Sequence, residues 1–180
     1  VSQMTLKEKA WLRSGADSWR TKPILRVGLA SVSVSDGPHG LRKEVEDAKK
    51  GKYTEPATCF PTAAALACSF DRNLLRRVGA ALGVETRAAG VSVLLGPGLN
   101  IKRSPLCGRN FEYFSEDPVL SGELAGAYIA GVQSEHVGTS MKHFAFNNQE
   151  LRRLTVDSVV DDRAAFEIYL SGFARAIQIE

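Results

Sequence analysis

A repeated order of segments constrains the fold of this chain more than any other feature of its sequence. Three short segments with strand character, 31–35, 91–95 and 138–146, are each followed by a polar loop and then by apolar residues at helical spacing. The loops after the strands are long, whereas the returns from helix to strand, at Gly90 and at Val137-Gly138, are short. This order predicts a parallel α/β fold. The long loops predict that its chemistry lies at the carboxyl ends of the strands, as in a (β/α)8 barrel.

Local signals place several helix ends and one loop. Thr5 and Glu8 have the spacing of a capping box, which predicts a short helix that closes near Gly15. Apolar residues at helical spacing follow Asp71 until Gly90 supplies a stop. Further helices are expected from Leu120 and after Asp161-Asp162. The polar, irregular stretch 43–60 predicts a surface loop.

A doubly wound nucleotide-binding sheet would show the same order of elements. The candidate phosphate loop, Gly96-Pro-Gly98, lacks the third glycine of a dinucleotide fingerprint because position 101 is Ile. The fingerprint also requires a helix to begin at this loop. The sequence predicts none there. The barrel interpretation is therefore favoured.

Composition excludes several functional classes. The chain has 180 residues, 44% of them hydrophobic and 24% charged, which is typical of a globular domain. The net charge is +3, and the basic stretch 42–52 is diluted by Glu44, Glu46 and Asp47, so no nucleic-acid partner is expected. No apolar run approaches the ~20 residues of a membrane span, and no membrane partner is expected.

The three cysteines also bear on the compartment and on cofactors. Cys59, Cys68 and Cys107 are odd in number and lack metal-ligand spacing, so the expectation is reduced thiols, a cytoplasmic location and no metal or cofactor. The chain begins at Val1, and its last residues still have helical character, so both ends are expected to be cut.

Polar residues follow or interrupt each strand-like segment. Taken singly, most have ordinary interpretations: an Asp before Gly is usually a turn residue, and His39 and His136 are interpreted as structural. Lys142 and His143 are different because they lie within a strand-like segment that should be apolar. A barrel strand that opens into a pocket at its carboxyl end would explain them. The candidate residues at the three strand ends are Asp36, Arg42, Arg103, Arg109, Lys142, His143 and Arg153.

Three long motifs carry a family resemblance. They are Ser35-Asp-Gly-Pro-His-Gly-Leu-Arg42, the segment 95–118 that contains Gly108-Arg-Asn-Phe-Glu-Tyr113, and Lys142-His-Phe-Ala-Phe-Asn-Asn-Gln-Glu150. In order and spacing they strongly resemble glycoside hydrolase family 3 of the β-glucosidase type. Phe60-Pro61 and Val159-Val-Asp-Asp-Arg163 are weaker matches. The resemblance implies that residues 1–180 are the N-terminal portion of a (β/α)8 TIM-like barrel, incomplete in this chain.

The resemblance also implies a function and a site. The expected function is a retaining, exo-acting β-glycosidase that hydrolyses terminal non-reducing β-D-glycosyl residues of a small or oligomeric β-glycoside. The expected glycosyl-binding residues are Asp36, Arg42, Arg109, Lys142, His143 and Arg153. The branch of the family that acts on N-acetylglucosamine is disfavoured, because Lys-His-Phe is followed here by Ala145-Phe-Asn-Asn148 rather than by Pro-Gly.

Neither catalytic carboxylate of the family is expected in this chain. A retaining glycosidase needs a nucleophile and an acid/base about 5–5.5 Å apart. The family's nucleophile lies in a Ser-Asp-Trp-like motif on a later strand, and Ser35-Asp36-Gly37 matches the sugar-binding Asp instead. The rest of the protein's own chain is therefore expected to complete the barrel. The alternative is a non-catalytic fragment or a degenerate sugar-binding relative.

Overall fold

The structure, a computed structural model, describes residues 1–49 and 51–179. Its regular elements follow one another as α1 (Leu6–Leu12), β1 (Val34–Asp36), β2 (Glu44–Asp47), β3 (Gly51–Thr54), α2 (Ala63–Ala67), α3 (Arg72–Ala88), β4 (Val93–Leu95), α4 (Pro118–Gln133), β5 (Gly138–Thr139), α5 (Asp162–Ala164) and α6 (Ser171–Gln178). Two 3-10 turns, Leu25–Val27 and Asn110–Glu112, lie between them, and a π-helical turn, Ala165–Tyr169, joins α5 to α6.

The three predicted strands form one parallel sheet in the order β1–β4–β5. Val34 lies opposite Val93, and Val93 lies opposite Gly138, so the carboxyl ends of the strands point to the same edge. The predicted parallel α/β fold is confirmed. The sheet also explains the loop lengths, because the long polar connections all leave from that edge.

The third strand is shorter than the predicted 138–146. Regular pairing ends at Thr139, and an isolated bridge between Gly98 and Lys142 extends it irregularly. Beyond this bridge the peptide bonds Lys142–His143 and Phe144–Ala145 are cis, and Phe146 has a φ of 67°. Adjacent side chains of a regular strand point to opposite faces, and regular pairing has ended before Lys142 and His143.

The prediction of a surface loop over 43–60 was wrong in part. β2 and β3 form an antiparallel hairpin in which Val45 lies opposite Tyr53. Its residues are exposed or half-buried, so the sequence carries no strong apolar alternation there. Backbone pairing, which side-chain patterns do not reveal, stabilises this hairpin.

The helices begin where the capping signals predict. Thr5 and Glu8 make both bonds of the capping box at α1, and Asp71 accepts hydrogen bonds from the backbone amides of Asn73 and Leu74 at α3. Asp161 caps the last helical segment in the same manner. Each cap satisfies backbone N–H groups that the first turn of a helix leaves unpaired.

The core lies between the sheet and the neighbouring helices α3 and α4. Leu82 of α3, Leu94 of β4 and Leu124 of α4 are almost wholly buried in it. Two glycines allow the helices to approach closely: a Cβ at Gly79 would lie 2.3 Å from the carbonyl oxygen of Tyr128, and one at Gly131 would lie 2.1 Å from that of Arg76. This packing fixes the sheet whose edge carries the polar loops.

The apolar character of α4 belongs to the core. Within residues 1–49 and 51–179, no helix is both long and apolar enough to cross a bilayer.

The three cysteines carry free thiols. Cys59 and Cys68 are exposed, and Cys107 is buried.

Candidate functional site

Lys142 occupies the centre of the polar edge of the sheet. Its Nζ lies 2.6 Å from Oδ1 of Asp36, which ends β1, and 3.4 Å from Oε2 of Glu112, which lies in the loop after β4. Its side chain is only 13% exposed. The carboxyl ends of all three strands thus contribute to one ion-pair cluster. An ammonium group has three N–H donors, and these two carboxylates are the charged partners of Lys142 among the described residues, so one N–H is left for a further acceptor.

Arg109 and Glu112 form the second part of this cluster. The 3-10 turn Asn110–Glu112 brings the two side chains together, and Nε of Arg109 donates to Oε1 of Glu112. Burial alone would lower the pKa of Arg109, but the hydrogen bond and charge of Glu112 outweigh it and raise that pKa. The Glu112 side chain is 6% exposed, so it serves the two cations rather than solvent.

Asp36 is held by a tight turn. The Arg42 amide donates to the Asp36 carbonyl oxygen at 2.9 Å, and the Arg42 guanidinium lies 3.3 Å from Oδ2 of Asp36. Gly37, at a φ of 121°, makes this return possible, since a Cβ there would lie 2.1 Å from the Gly40 carbonyl oxygen. Burial opposes ionisation of Asp36, but the hydrogen bond and charge of Lys142 outweigh it and lower the pKa of Asp36.

His143 is held through both its backbone and its ring. Oδ1 of Asn100 accepts from the His143 amide at 2.6 Å, and Nδ2 of Asn100 donates to the His143 carbonyl oxygen at 3.0 Å. The ring Nδ1 lies 2.9 Å from the Tyr113 hydroxyl. Burial and the nearby charges of Arg109 and Lys142 lower the pKa of His143 to about 4, so the ring is neutral at pH 7.

Arg153 joins the site through Glu150. Its guanidinium lies 3.1 Å from Oε2 of Glu150, whose Oε1 accepts from the side-chain amide of Asn147 at 2.9 Å. The same Asn147 nitrogen lies 2.9 Å from the Tyr113 hydroxyl. Burial would raise the pKa of Glu150, but the Asn147 hydrogen bond and the charge of Arg153 lower it.

The structure therefore brings all six predicted binding residues to the same edge of the sheet, in two bonded groups, with the charges of Arg109 and Lys142 of the first group acting on His143 of the second. Arg42, Asp36 and Lys142 are joined by ion pairs, and Glu112 joins Lys142 to Arg109. A second branch runs from His143 through Tyr113, Asn147 and Glu150 to Arg153. Arg103, the seventh polar residue at a strand end, instead lies 3.4 Å from the Tyr169 hydroxyl.

The two histidines interpreted as structural differ in position. His39 stacks edge-on against Phe111, and burial lowers its pKa, with the charges of Glu112, Lys142 and Asp36 acting on it more weakly. It therefore lies beside the cluster. His136 adopts a φ of 62° in the turn after α4.

Sequence reasoning missed the residues that hold the candidates in place: Asn100, Glu112, Tyr113, Asn147 and Glu150. One signal in the sequence was a spacing of three residues. It separates Arg109 from Glu112, and it also separates Asn147 from Glu150 and Glu150 from Arg153. A spacing of three places side chains on one side of a helical turn. The Tyr113–His143 contact spans 30 residues and left no local signal.

The arrangement suits a ligand rich in hydroxyl groups. Charged N–H donors and carboxylate acceptors converge on one edge, and each hydroxyl of a ligand can use both kinds of partner. Among the described residues, no three or more His, Cys, Asp or Glu side chains are placed to hold a metal ion.

Comparison with known proteins agrees with this chemistry. The profile of the glycosyl hydrolase family 3 N terminal domain matches residues 31–180. In an alignment of 180 positions that covers 99% of this chain, it is 62% identical to thermostable beta-glucosidase B of Acetivibrio thermocellus, of which it covers 24%. It is 48% identical over 181 residues to an exo-alpha-(1->6)-L-arabinopyranosidase of Bifidobacterium longum, again covering 24%.

Solved structures show the same relationship in three dimensions. The fold matches beta-glucosidase 3B of Thermotoga neapolitana in complex with α-D-glucose with a TM-score of 0.86, at 46% identity, over 98% of this chain and 27% of that one. A beta-glucosidase of Kluyveromyces marxianus in complex with glucose matches with a TM-score of 0.89 and 41% identity, over 98% of this chain and 21% of that one.

The fold class and the resemblance are both confirmed by these matches. The three-stranded parallel sheet corresponds to the TIM-barrel-like N-terminal domain of these enzymes. The chain spans about a quarter of the length of the curated relatives it matches. Together with the profile match over 31–180, this shows that the chain belongs to glycoside hydrolase family 3.

Proposed function

We propose that this chain supplies the glycosyl-binding part of a retaining, exo-acting β-glycosidase that hydrolyses terminal non-reducing β-D-glycosyl residues. The observation that carries the proposal is the position of Lys142, which lies between the Asp36 and Glu112 carboxylates at the shared edge of the sheet. In this proposal, residues 1–180 are the N-terminal portion of the barrel domain, and later segments of the same protein complete it.

The chemistry of the cluster supports a pyranose ligand. Asp36 accepts hydrogen bonds from hydroxyl groups, whereas Arg42, Arg109, Lys142, His143 and Arg153 donate to hydroxyl oxygens. Charge-assisted hydrogen bonds are worth roughly 1.5–3 kcal/mol each. Several of them, at fixed angles, are enough to select one sugar stereochemistry over another.

The carboxylates of the cluster are engaged by cations or amides. Asp36 pairs with Lys142 and Arg42, and Glu112 pairs with Arg109 and Lys142. Glu150 accepts from Asn147 and Arg153. This engagement supports a binding role for all three and a nucleophile and acid/base from outside residues 1–180. The 180-residue chain alone is then expected to give no turnover.

The first test compares the complete gene product with the 180-residue chain, using a chromogenic β-D-glucoside and a chromogenic α-L-arabinopyranoside. We expect the complete gene product to hydrolyse the β-D-glucoside and the 180-residue chain to hydrolyse neither; hydrolysis of the α-L-arabinopyranoside alone would contradict the proposed β-D-glycosyl specificity. Turnover by the 180-residue chain at a similar rate would contradict the assignment of the catalytic groups. Binding of glucose by the complete gene product without turnover would favour the degenerate sugar-binding relative instead.

The second test addresses Asp36 directly. In the complete gene product, Asp36→Ala is expected to lower kcat/KM by about 100-fold, because a charge-assisted contact is lost in both the ground and the transition state. Asp157→Ala, which removes an exposed carboxylate outside the cluster, is the control. An unchanged kcat/KM for Asp36→Ala would overturn the proposed role of Asp36.

A further inference from the structure

A chain of hydrogen bonds lies behind the His143 ring. Oε1 of Glu150 lies 2.9 Å from Nδ2 of Asn147, and the same nitrogen lies 2.9 Å from the Tyr113 hydroxyl oxygen. That oxygen lies 2.9 Å from Nδ1 of His143. Four side chains are thus joined in sequence from a carboxylate to an imidazole.

The carboxylate end fixes the direction of this chain. An ionised carboxylate only accepts hydrogen bonds, so Asn147 must turn its NH2 group, not its carbonyl oxygen, toward Glu150. The second N–H of the same group then donates to the Tyr113 oxygen. Arg153, 3.1 Å from Oε2 of Glu150, keeps that carboxylate charged and in place.

The Tyr113 hydroxyl transmits this direction to His143. Tyr113 is fully buried, and leaving a buried O–H donor without an acceptor costs about 1–3 kcal/mol. Its oxygen accepts from Asn147, and in the described part of the chain the remaining recorded hydrogen-bond partner of the hydroxyl is Nδ1 of His143. The O–H therefore donates to Nδ1, which must be the bare nitrogen of the ring.

We infer that Glu150, Asn147 and Tyr113 are positioning residues that hold His143 as the Nε2–H tautomer, so that the ring presents a hydrogen-bond donor to its ligand. The use of that donor on a sugar hydroxyl rests on the proposed function. The tautomer itself is a property of the unliganded protein. None of the three positioning residues has to touch the ligand.

Two further observations support the inference. Burial raises the pKa of Tyr113 to about 12, so the phenol keeps its proton, and the lowered pKa of His143 keeps the ring neutral with a single ring proton. The Asn100 side chain bonds both the amide and the carbonyl oxygen of His143. The backbone of His143 is therefore fixed, and the tautomer decides whether Nε2 of the ring is a hydrogen-bond donor or an acceptor.

The deciding experiment is nitrogen NMR of the complete gene product with histidine labelled at both ring nitrogens. A protonated and a bare ring nitrogen resonate in well-separated regions, and loss of signals in His143→Gln assigns the ring of interest. We expect His143 to show its proton on Nε2 and a bare Nδ1 near pH 7. A protonated Nδ1 with a bare Nε2 would overturn the inference.

Two variants test the chain of hydrogen bonds from Glu150 to His143, which we call the relay. Tyr113→Phe keeps the ring but removes the donor to Nδ1, and Asn147→Ala removes the group that directs the phenol. Both are expected to give a mixture of His143 tautomers and to weaken glucose binding by about fivefold to tenfold. Tyr128→Phe is the matched control, because Tyr128 is equally buried and its hydroxyl donates to the Pro38 carbonyl oxygen at 2.7 Å.

The outcomes separate the two proposals. A pure Nε2–H ring in both Tyr113→Phe and Asn147→Ala would overturn the relay, whatever the activity. A mixture of tautomers in the Tyr128→Phe control as well would also overturn it, because the effect would then be a general response to a lost phenol. If the complete gene product shows the expected Nε2–H tautomer of His143 but binds no glucose, the proposed function is overturned. The tautomer assignment would then still hold.

Discussion

The inner charge cluster and the rim cations of the site contain the same kinds of groups in different surroundings. The inner charge cluster is Asp36, Arg109, Glu112 and Lys142; the rim cations are Arg42 and Arg153. Glu112 and Lys142 are 6% and 13% exposed, whereas Arg42 and Arg153 are 55% and 53% exposed. The ion pairs of the two regions have similar lengths. Those of Lys142 are 2.6 and 3.4 Å long, that of Arg42 is 3.3 Å and that of Arg153 is 3.1 Å.

Desolvation, not distance, separates the two regions. An exposed ion pair is worth about 0–1 kcal/mol, because water and salt screen it. Removing one partner of a buried pair costs about 3–5 kcal/mol, since the remaining charge is left without compensation. The inner charge cluster is therefore expected to contribute most to stability and to ligand binding, and the rim cations to contribute less to both.

The largest expected effect comes from the buried counter-charge. Glu112→Gln keeps the shape of the side chain but leaves Arg109 and Lys142 without their shared carboxylate. We expect the free energy of unfolding to fall by about 3 kcal/mol, measured by urea denaturation of the complete gene product. Glu123→Gln is the matched control, because Glu123 also pairs with two cations, Arg72 and Arg175, but these are 66% and 46% exposed. Equal losses in the two variants would remove the distinction between buried and exposed pairs.

Binding should separate the two regions next. Lys142→Met is expected to weaken glucose binding by about 30- to 100-fold, because it removes a charged donor and the partner of Asp36. Arg42→Met is expected to weaken it by less than about tenfold, since water replaces much of an exposed interaction. Isothermal titration of both variants measures the ratio. A larger effect for Arg42 would place the main binding contact at the rim.

A smaller effect is expected in the pH dependence of stability. The folded protein keeps His143 neutral until its pKa of about 4, whereas an unfolded histidine takes up a proton near 6.5. The unfolded state therefore binds more protons between these values, so the His143 contribution is complete above pH 6.5 and is lost as the pH falls toward 4. In His143→Gln, the midpoint of urea denaturation should therefore vary less with pH over this range than it does in the unaltered protein.

Other titratable groups also contribute to the pH profile. Some slope should remain in His143→Gln because burial also lowers the pKa of His39. The carboxyls of Asp36 and Glu150, with lowered pKa values, stabilise the fold above their ordinary values of 3.8 and 4.5, and that stabilisation is lost only as the pH falls below them. An unaltered slope between pH 6.5 and 4.5 in His143→Gln would contradict the neutral, buried ring.

The smallest effect gives the baseline for a fully exposed pair. Arg163 and Glu167 lie one helical turn apart at 3.0 Å, with side chains 83% and 61% exposed. Glu167→Gln is expected to change the free energy of unfolding by less than about 0.5 kcal/mol. A loss as large as that of Glu112→Gln would mean that exposure does not rank the ion pairs of this protein.

Local signals in the sequence predicted much of the scaffold. The capping residues Thr5, Asp71 and Asp161 act within three residues of their partners, so their roles are visible in the sequence alone. The alternation of strand, polar loop and helix predicted a parallel sheet because such strands need long crossovers. The hairpin of β2 and β3 escaped prediction because backbone pairing with exposed side chains leaves little pattern.

The sequence by itself determined which residues belong to the site. The positions after or within strand-like segments, together with three motifs in register, point to Asp36, Arg109, Lys142 and His143 as candidates without any knowledge of tertiary contacts. A parallel sheet allows this because all its strands end at one edge, so residues far apart in sequence are directed to the same place.

Only the tertiary structure decided what those residues do to one another. The Asp36–Lys142 pair spans 106 residues and the Tyr113–His143 contact spans 30, and no local rule reports such contacts. Whether a charge is stabilising depends on how much water its surroundings exclude, and burial is a property of the whole packed chain. The sequence therefore names the donors and acceptors, whereas packing sets their partners, their protonation and the direction of their hydrogen bonds.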